Sequence, residues 1–347
     1  MKLTCVGLGP ARCLILTLRK SNILLDCGLW DASGLATRAA SPCCLAPLLQ
    51  LLSLYELDAA LISTPHAALA VPMLLAAHPH VLHGPAYATL GALDAAHLLA
   101  AESELVQQLQ PHAAGSDAQP TGQPVPVDAS MLAHGLPSLL GVQPATQRGV
   151  MAHGCWHPAP AASALRAGLR HIRAVRYGQD VSLDGVGLTA RAFPAGSGFG
   201  SALWVVHDGC RSIGYLPEFQ LPPPAVAAGS WQQAPPPAAL ELQPPTLGGL
   251  AALITAPHTC QASHQQPTPF QAVQQIVHAV VAAARAGAPS LIPLPAAGAA
   301  WQLLEELGAG LAAAGLAGVP TFVAGPAAAD SLALANTSME FVSSQRQ

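Results

Sequence analysis

Hydrophobic positions along the chain follow two rhythms. Up to about residue 220 the apolar runs are short and end at polar edges, which predicts buried strands. Lys2 to Gly7 opens, Leu14 to Leu18 continues, Ser21-Asn22 breaks the run, and Ile23-Leu24-Leu25 leads into Asp26-Cys27-Gly28. LDAALIS, residues 57–63, is a further strand that turns at Thr64-Pro65 and leaves through an apolar run to Pro72. Thr189 to Tyr215 reads as a strand, a glycine-rich loop and a β-hairpin. His207-Asp208-Gly209 marks the reversal, because Asp-Gly suits a tight turn. Leu165 to Tyr177 predicts a helix with Leu165, Leu169 and Ile172 on its apolar face. Arg166, Arg170 and Arg173 would form a basic stripe on it, either a solvated surface or a contact for RNA phosphates.

From Gly248 the rhythm alternates. Leu250 to Thr255 predicts a strand, Phe270 to Ala286 a helix, and Ser290 to Leu294 a strand. Ala299 to Ala314 is a helix whose Ala300, Leu304, Leu307 and Leu311 share a face, Pro320 to Ala324 a third strand, and Ala327 begins another helix. A βαβαβ order implies a parallel sheet. Two stretches interrupt the pattern. Pro111 to Ser130 is a low-complexity loop, and Leu221 to Thr246, with PPP at 222–224 and 235–237, reads as a linker. The expected division is therefore 1–220, a linker at 221–247, and 248–347.

Composition narrows the function classes. The 347 residues are 51% hydrophobic and only 9% charged, but much of the apolar content is alanine. A net charge of −4 excludes a globally basic nucleic-acid binder. Eight cysteines without a C-x-x-C pair point to free thiols in a reducing compartment. Ala59 to Ala77 is uncharged and long enough to span a bilayer. Its Pro65, His66 and Pro72 fit a strand and turn better, and no transmembrane helix is expected. Arg12, Arg19 and Lys20 interrupt the first apolar run, so no signal peptide is expected.

Candidate chemistry begins at Asp26. A carboxylate at the end of an apolar strand can accept backbone N–H bonds from a neighbouring loop, or simply cap a tight turn. The pairing of this strand, ending DCG, with a strand ending in Ser and a His-bearing loop resembles the metallo-β-lactamase fold. More closely it resembles the β-CASP nucleic-acid branch of that family. Active members carry H-x-H-x-D-H after the second strand, and those ligands bind two zinc ions that activate water. Here the equivalent run is Ser63-Thr64-Pro65-His66-Ala67-Ala68-Leu69. Thr64 stands at the first histidine position, and Ala68 and Leu69 replace the acid and the last histidine. Ser197 stands where the P-A-G-H-x-x-G loop has its ligand, and Glu218 is the carboxylate nearest the position of the bridging T-G-D-F aspartate. Thr, Ala and Leu cannot serve as zinc ligands in such a centre.

The resemblance implies an incomplete metallo-β-lactamase-like αββα sandwich followed by the first half of a β-CASP-like parallel α/β domain, with the remainder of both absent. The segments MKLTCVG, NILLDCGL, LISTPHAALAVP, SALRAGLRHIRAVRYGQDVSL, LIPLPAAGAAWQLLEEL and GLAGVPTFVAGPAAADSL are most similar to the non-catalytic branch, the scaffold subunits of the Integrator complex. PAGSGFGSALWVVHDG suits the inactive large subunits of the cleavage and polyadenylation factor nearly as well. The loop around His66, shorter by two residues, favours the Integrator branch. The same resemblance implies a scaffold of the nucleus, with the cytoplasm as a second location, and with no catalytic residue, no metal and no cofactor. It would pair with a catalytic β-CASP endonuclease and other Integrator subunits in small nuclear RNA 3′-end processing, associating with RNA indirectly and with no membrane. The alternative enzyme would be a metal-dependent hydrolase built on His66, Glu218 and the histidines of His78-Pro79-His80-Val81-Leu82-His83. Those histidines have the spacing of the missing zinc motif but read as a solvated loop. His153-x-Cys155-x-His157 and His258-x-Cys260 lie in loop-like context. Gly196 to Gly200 is neither a nucleophile elbow nor a dinucleotide fingerprint.

Overall fold

The computed structural model describes residues 1–7, 13–27, 43–45, 52, 54–109, 125–126, 155–158, 162–183, 187–196, 198–217, 247–255, 269–294 and 299–338. The first apolar runs become β1 (Lys2–Gly7), β2 (Cys13–Leu18) and β3 (Ser21–Cys27), a meander joined at Arg19-Lys20. Three parallel strands extend it: β5 (Ala59–Ile62), β6 (Ala86–Thr89) and β9 (Ile172–Val175). The order is β1-β2-β3-β5-β6-β9. Parallel neighbours need crossovers. Helix α1 (Pro65–Ala77) joins β5 to β6. Helix α2 (Leu90–Leu109) follows β6, and α3 (Ala162–Leu169) precedes β9. A short sheet pairs β4 (Cys43–Leu45), β8 (Cys155–Pro158) and β7 (Val125–Pro126) in the order β4-β8-β7.

The second main sheet has the order β10-β11-β12-β13-β14, with β10 (Asp180–Leu183), β11 (Leu188–Pro194), β12 (Ala202–His207), β13 (Ser212–Leu216) and β14 (Ala252–Thr255). Its first four strands are antiparallel, and β14 pairs parallel to β13, Gly214 opposite Leu253. The strand expected over Leu250 to Thr255 thus extends this sheet beside β13.

Alternating side chains divide the first sheet between two cores. Leu14, Leu16, Ile23, Leu25, Leu61 and Tyr87 face the second sheet, where Trp204, Val206 and Tyr215 meet them. Cys13, Ile15, Leu24, Cys27, Ala60 and Ile62 face α1, α2 and α3. Helix, sheet and sheet therefore stack in the order of an incomplete αββα sandwich, the layering that the resemblance implies.

Three local expectations are corrected. The helix predicted over Leu165 to Tyr177 stops at Leu169, and Ile172–Val175 joins the sheet beside β6. Arg166, Arg170 and Arg173 therefore lie on a helix, a turn and a strand rather than in one helical stripe. Ser290–Leu294 and Pro320–Ala324 have no ladder partner among the described residues. The helices around them form as expected: α4 (Pro269–Arg285), α5 (Ala299–Ala313) and α6 (Ala328–Thr337). Val277 of α4 packs on Leu303 and Leu307 of α5. The buried face of α5 is Trp301, Leu303, Leu307 and Leu311, with Leu304 only half-buried. Most of the low-complexity loop and of the linker lies outside the described residues.

Candidate functional site

The C-terminal ends of β3, β5 and β6 meet the loop before β12 and the end of β13. Asp26 closes β3 there with a left-handed φ of 58°, a conformation that aspartate tolerates better than most residues. Its carboxyl is 2% exposed. Oδ1 accepts the Ser63 backbone N–H at 2.7 Å, and Oδ2 accepts the Tyr215 hydroxyl at 2.8 Å. One side chain thereby ties β3 to β5 within its sheet and to β13 across the sandwich. Acceptance of a backbone N–H from the neighbouring segment is one of the two roles open to Asp26 from sequence; the bond to Tyr215 had no local signal.

Further polar bonds sew the same edge together. Trp204 Nε1 donates to the Ile62 carbonyl at 3.0 Å, and Ala202 N–H to the Ser63 carbonyl at 2.9 Å. The Thr89 hydroxyl donates to the Gly200 carbonyl while its oxygen accepts Ala92 N–H at 3.2 Å. Tyr177 donates to the Ser201 carbonyl at 2.8 Å, and burial pushes its phenol well above the ordinary range. Gly200 has a φ of +70°, and a Cβ there would lie 2.1 Å from Ala92 N, so the loop reaches α2 only because it has no side chain at that point. Ser63 Oγ is buried without a hydrogen-bond partner among the described residues.

The turn after β5 has become the start of a helix. Thr64 is the N-cap of α1, with its hydroxyl accepting Ala67 N–H at 3.2 Å and Pro65 at the first position. That arrangement satisfies an orphan helix donor and uses a proline whose missing N–H costs nothing there. His66 points into solvent. Ala68 is fully buried in the core between α1 and the sheet, and Leu69 packs against the same core. These residues do not fit the zinc centre that the fold family implies. The threonine oxygen is engaged as a cap, and the positions of the acid and last histidine carry apolar side chains. Among the described residues no group of three or more His, Cys, Asp or Glu side chains is placed to hold a metal. Ser197 and Glu218 lie outside the described residues.

His78, His80 and His83 are not brought to this edge. His78 is the C-cap of α1, twelve residues after His66, which at ~1.5 Å per residue puts about 18 Å between them. His83 N–H bonds the Leu57 carbonyl at the start of β5, so His78 to His83 runs at the opposite edge of the sheet. A shallow cavity there is lined by Asp58, His83, Gly84, Pro85, His171 and Arg173. Cys155 and His157 belong to β8, while His153, His258 and Cys260 lie outside the described residues.

No family model and no curated protein matches the chain. Among solved structures it is similar to the metallo-beta-lactamase fold protein YhfI from Bacillus subtilis, at 12% identity and a TM-score of 0.29, with 63% of each chain covered. It is also similar to a Cronobacter sakazakii metallo-beta-lactamase with a HARLDQ motif, at 16% identity and a TM-score of 0.30, covering 63% of this chain and 62% of that one. The chain thus spans less than two thirds of either structure. Likenesses this low add nothing to the architecture read from the layers and ladders. No helix among the described residues is long and apolar enough to cross a membrane.

Proposed function

We propose that this chain is a non-catalytic scaffold of the metallo-β-lactamase and β-CASP kind, similar to Integrator complex subunit 9. In this reading it acts in the nucleus by pairing with a catalytic β-CASP endonuclease similar to subunit 11, supporting 3′-end processing of small nuclear RNA. The observation that carries the proposal is the turn after β5. Its strands and helix are kept, while Thr64 serves as a helix cap and Ala68 and Leu69 serve as core. Asp26, the acidic residue of the neighbouring strand end, is engaged by Ser63 and Tyr215. A scaffold needs the first set of properties and has no use for zinc ligands.

The test is affinity purification of the tagged full-length gene product from nuclear extract, with metal analysis of the purified protein. Co-purification of a β-CASP nuclease with the small nuclear RNA machinery is expected, and less than about 0.1 zinc per chain when the product is purified alone. Recovery of the polyadenylation nuclease instead would transfer the protein to the other scaffold branch. Stoichiometric zinc with nuclease activity in the isolated chain would overturn the proposal.

A further inference from the structure

Cys13 and Cys27 are cross-strand partners at adjoining ends of β2 and β3, with a β-bulge between Cys13 and Leu14. Both are fully buried on the helix-facing side of the first sheet, beside Ile15 and Leu24. Neither is in a disulfide. Directly opposed residues of antiparallel strands lie about 4.5–5.5 Å apart at Cα. Disulfides span about 4.4–6.8 Å. Both side chains enter the same helix-facing core, so the sulfurs as well as the backbones lie on one side of the sheet. We propose that Cys13 and Cys27 form a dithiol that hydrogen peroxide closes to a cross-strand disulfide, a redox-responsive staple on the strand end that carries Asp26.

The chemistry balances without a further reactant. One sulfur, as its thiolate, attacks peroxide; an S–O bond forms, the O–O bond breaks and hydroxide leaves. The second sulfur then attacks the sulfenic sulfur; the S–S bond forms, the S–O bond breaks, and the departing hydroxide takes the second thiol's proton. Two thiols and one peroxide give one disulfide and two waters, with the thiols losing the two electrons that peroxide gains. The partner sulfur and burial hold the Cys13 thiol well above its ordinary value, so closure is slower than oxidation of exposed Cys5 or Cys210. A small oxidant is required because neither sulfur is open to solvent. Once formed, the bond joins β2 to the residue next to Asp26 and constrains the unfolded chain.

The full chain is treated with hydrogen peroxide under native conditions, quenched with catalase, then unfolded and alkylated with iodoacetamide. Trypsin cuts after Arg12, Arg19, Lys20 and Arg38, so Cys13 and Cys27 fall in separate peptides, 13–19 and 21–38, each with one cysteine. The expected product is the two peptides linked, two hydrogens lighter than their sum and split by dithiothreitol. The midpoint of thermal unfolding should rise by about 5 °C on oxidation, and Cys27→Ser should abolish that rise. Recovery of both peptides fully alkylated after Cys5 has oxidised would overturn the proposal. So would linkage of peptide 13–19 to any other cysteine peptide. Should Cys27→Ser fail to fold, the peptide map of the unaltered chain decides alone.

Discussion

Tyr215→Phe isolates the bond that joins the two sheets at Asp26. The ring stays where it is, 1% exposed among Trp204, Leu16 and Leu61, and only the hydroxyl is lost. That hydroxyl donates to a carboxyl oxygen at 2.8 Å in a site that is 2% exposed, so water cannot replace it without opening the edge. A typical hydrogen bond contributes about 0.5–1.5 kcal/mol, and a buried acceptor left without its donor costs about 1–3 kcal/mol. The variant should therefore lose about 2 kcal/mol, a roughly thirtyfold rise in the unfolded fraction. At about 2–4 °C per kcal/mol for a unit of this size, the thermal midpoint falls by about 4–8 °C. Urea unfolding followed by circular dichroism measures the loss directly. Asp26→Asn keeps a residue that tolerates the left-handed conformation. Combined with Tyr215→Phe it should cost less than the sum of the single variants by about 1 kcal/mol. A loss below about 0.5 kcal/mol for Tyr215→Phe, or strict additivity of the pair, would refute the claim that Asp26 holds the sheets together through Tyr215.

Ser63→Ala removes a buried hydroxyl with no partner among the described residues while leaving the backbone N–H that Asp26 accepts, so stability should hold or rise by about 0.5–1 kcal/mol; a loss above 1 kcal/mol in urea unfolding would reveal a partner. Gly200→Ala adds a methyl at 2.1 Å from Ala92 N in a left-handed residue and should cost more than about 3 kcal/mol, read as loss of soluble folded protein or a large drop in midpoint. Ala68→Asp places a carboxyl at a fully buried helix position, and a melt with and without zinc should show a loss of several kcal/mol with no zinc-dependent recovery. Asp180 is exposed, and its bidentate hydrogen bonds from Arg191 hold its carboxyl below the ordinary value. Its contribution is present above the unfolded carboxyl value, near pH 3.8, and is lost as pH falls through the lower folded value. An NMR titration that finds Asp180 at or above the ordinary value would contradict this, as would a shift indifferent to salt.

Strand ends and turns were legible where burial and local chemistry agree. Lys2 to Gly7 and the Asp-Gly reversal are such cases: Asp208 Oδ1 accepts the N–H groups of Cys210 and Arg211, and Gly209 supplies a φ of +86°. Where two periods fit the same residues, the sequence misled. Leu165, Leu169 and Ile172 satisfy helical spacing, yet Ile172 and Val175 are also the buried ends of a four-residue strand whose middle pair is exposed. The free edge of β6 decides the matter, because it supplies a ladder from Ala86↔Ile172 to Thr89↔Val175. Ser290–Leu294 and Pro320–Ala324 show the converse. Their composition is strand-like, but a strand requires a neighbour, and Leu291 and Phe322 stand 95% and 84% exposed. Asp26 was legible as a carboxylate at a strand end, but its bond to a tyrosine 189 residues away depends on the stacking of two sheets.

The turn after β5 is where those levels of description meet. A dinuclear metal site asks its ligands to converge on a point outside the strand ends, which leaves polar side chains standing clear of the backbone. A helix start asks the opposite: a short polar side chain folded back on its own N–H groups, followed by apolar residues turned to the core. Thr64, Pro65, Ala68 and Leu69 meet the second demand at each position, and exposed His66 takes no part in it. Asp26 follows the same logic, since its carboxyl oxygens are spent on Ser63 and Tyr215 rather than directed outward together. Stability and metal binding compete for the same few atoms at this edge. In the described residues those atoms are committed to joining strand, helix and opposing sheet.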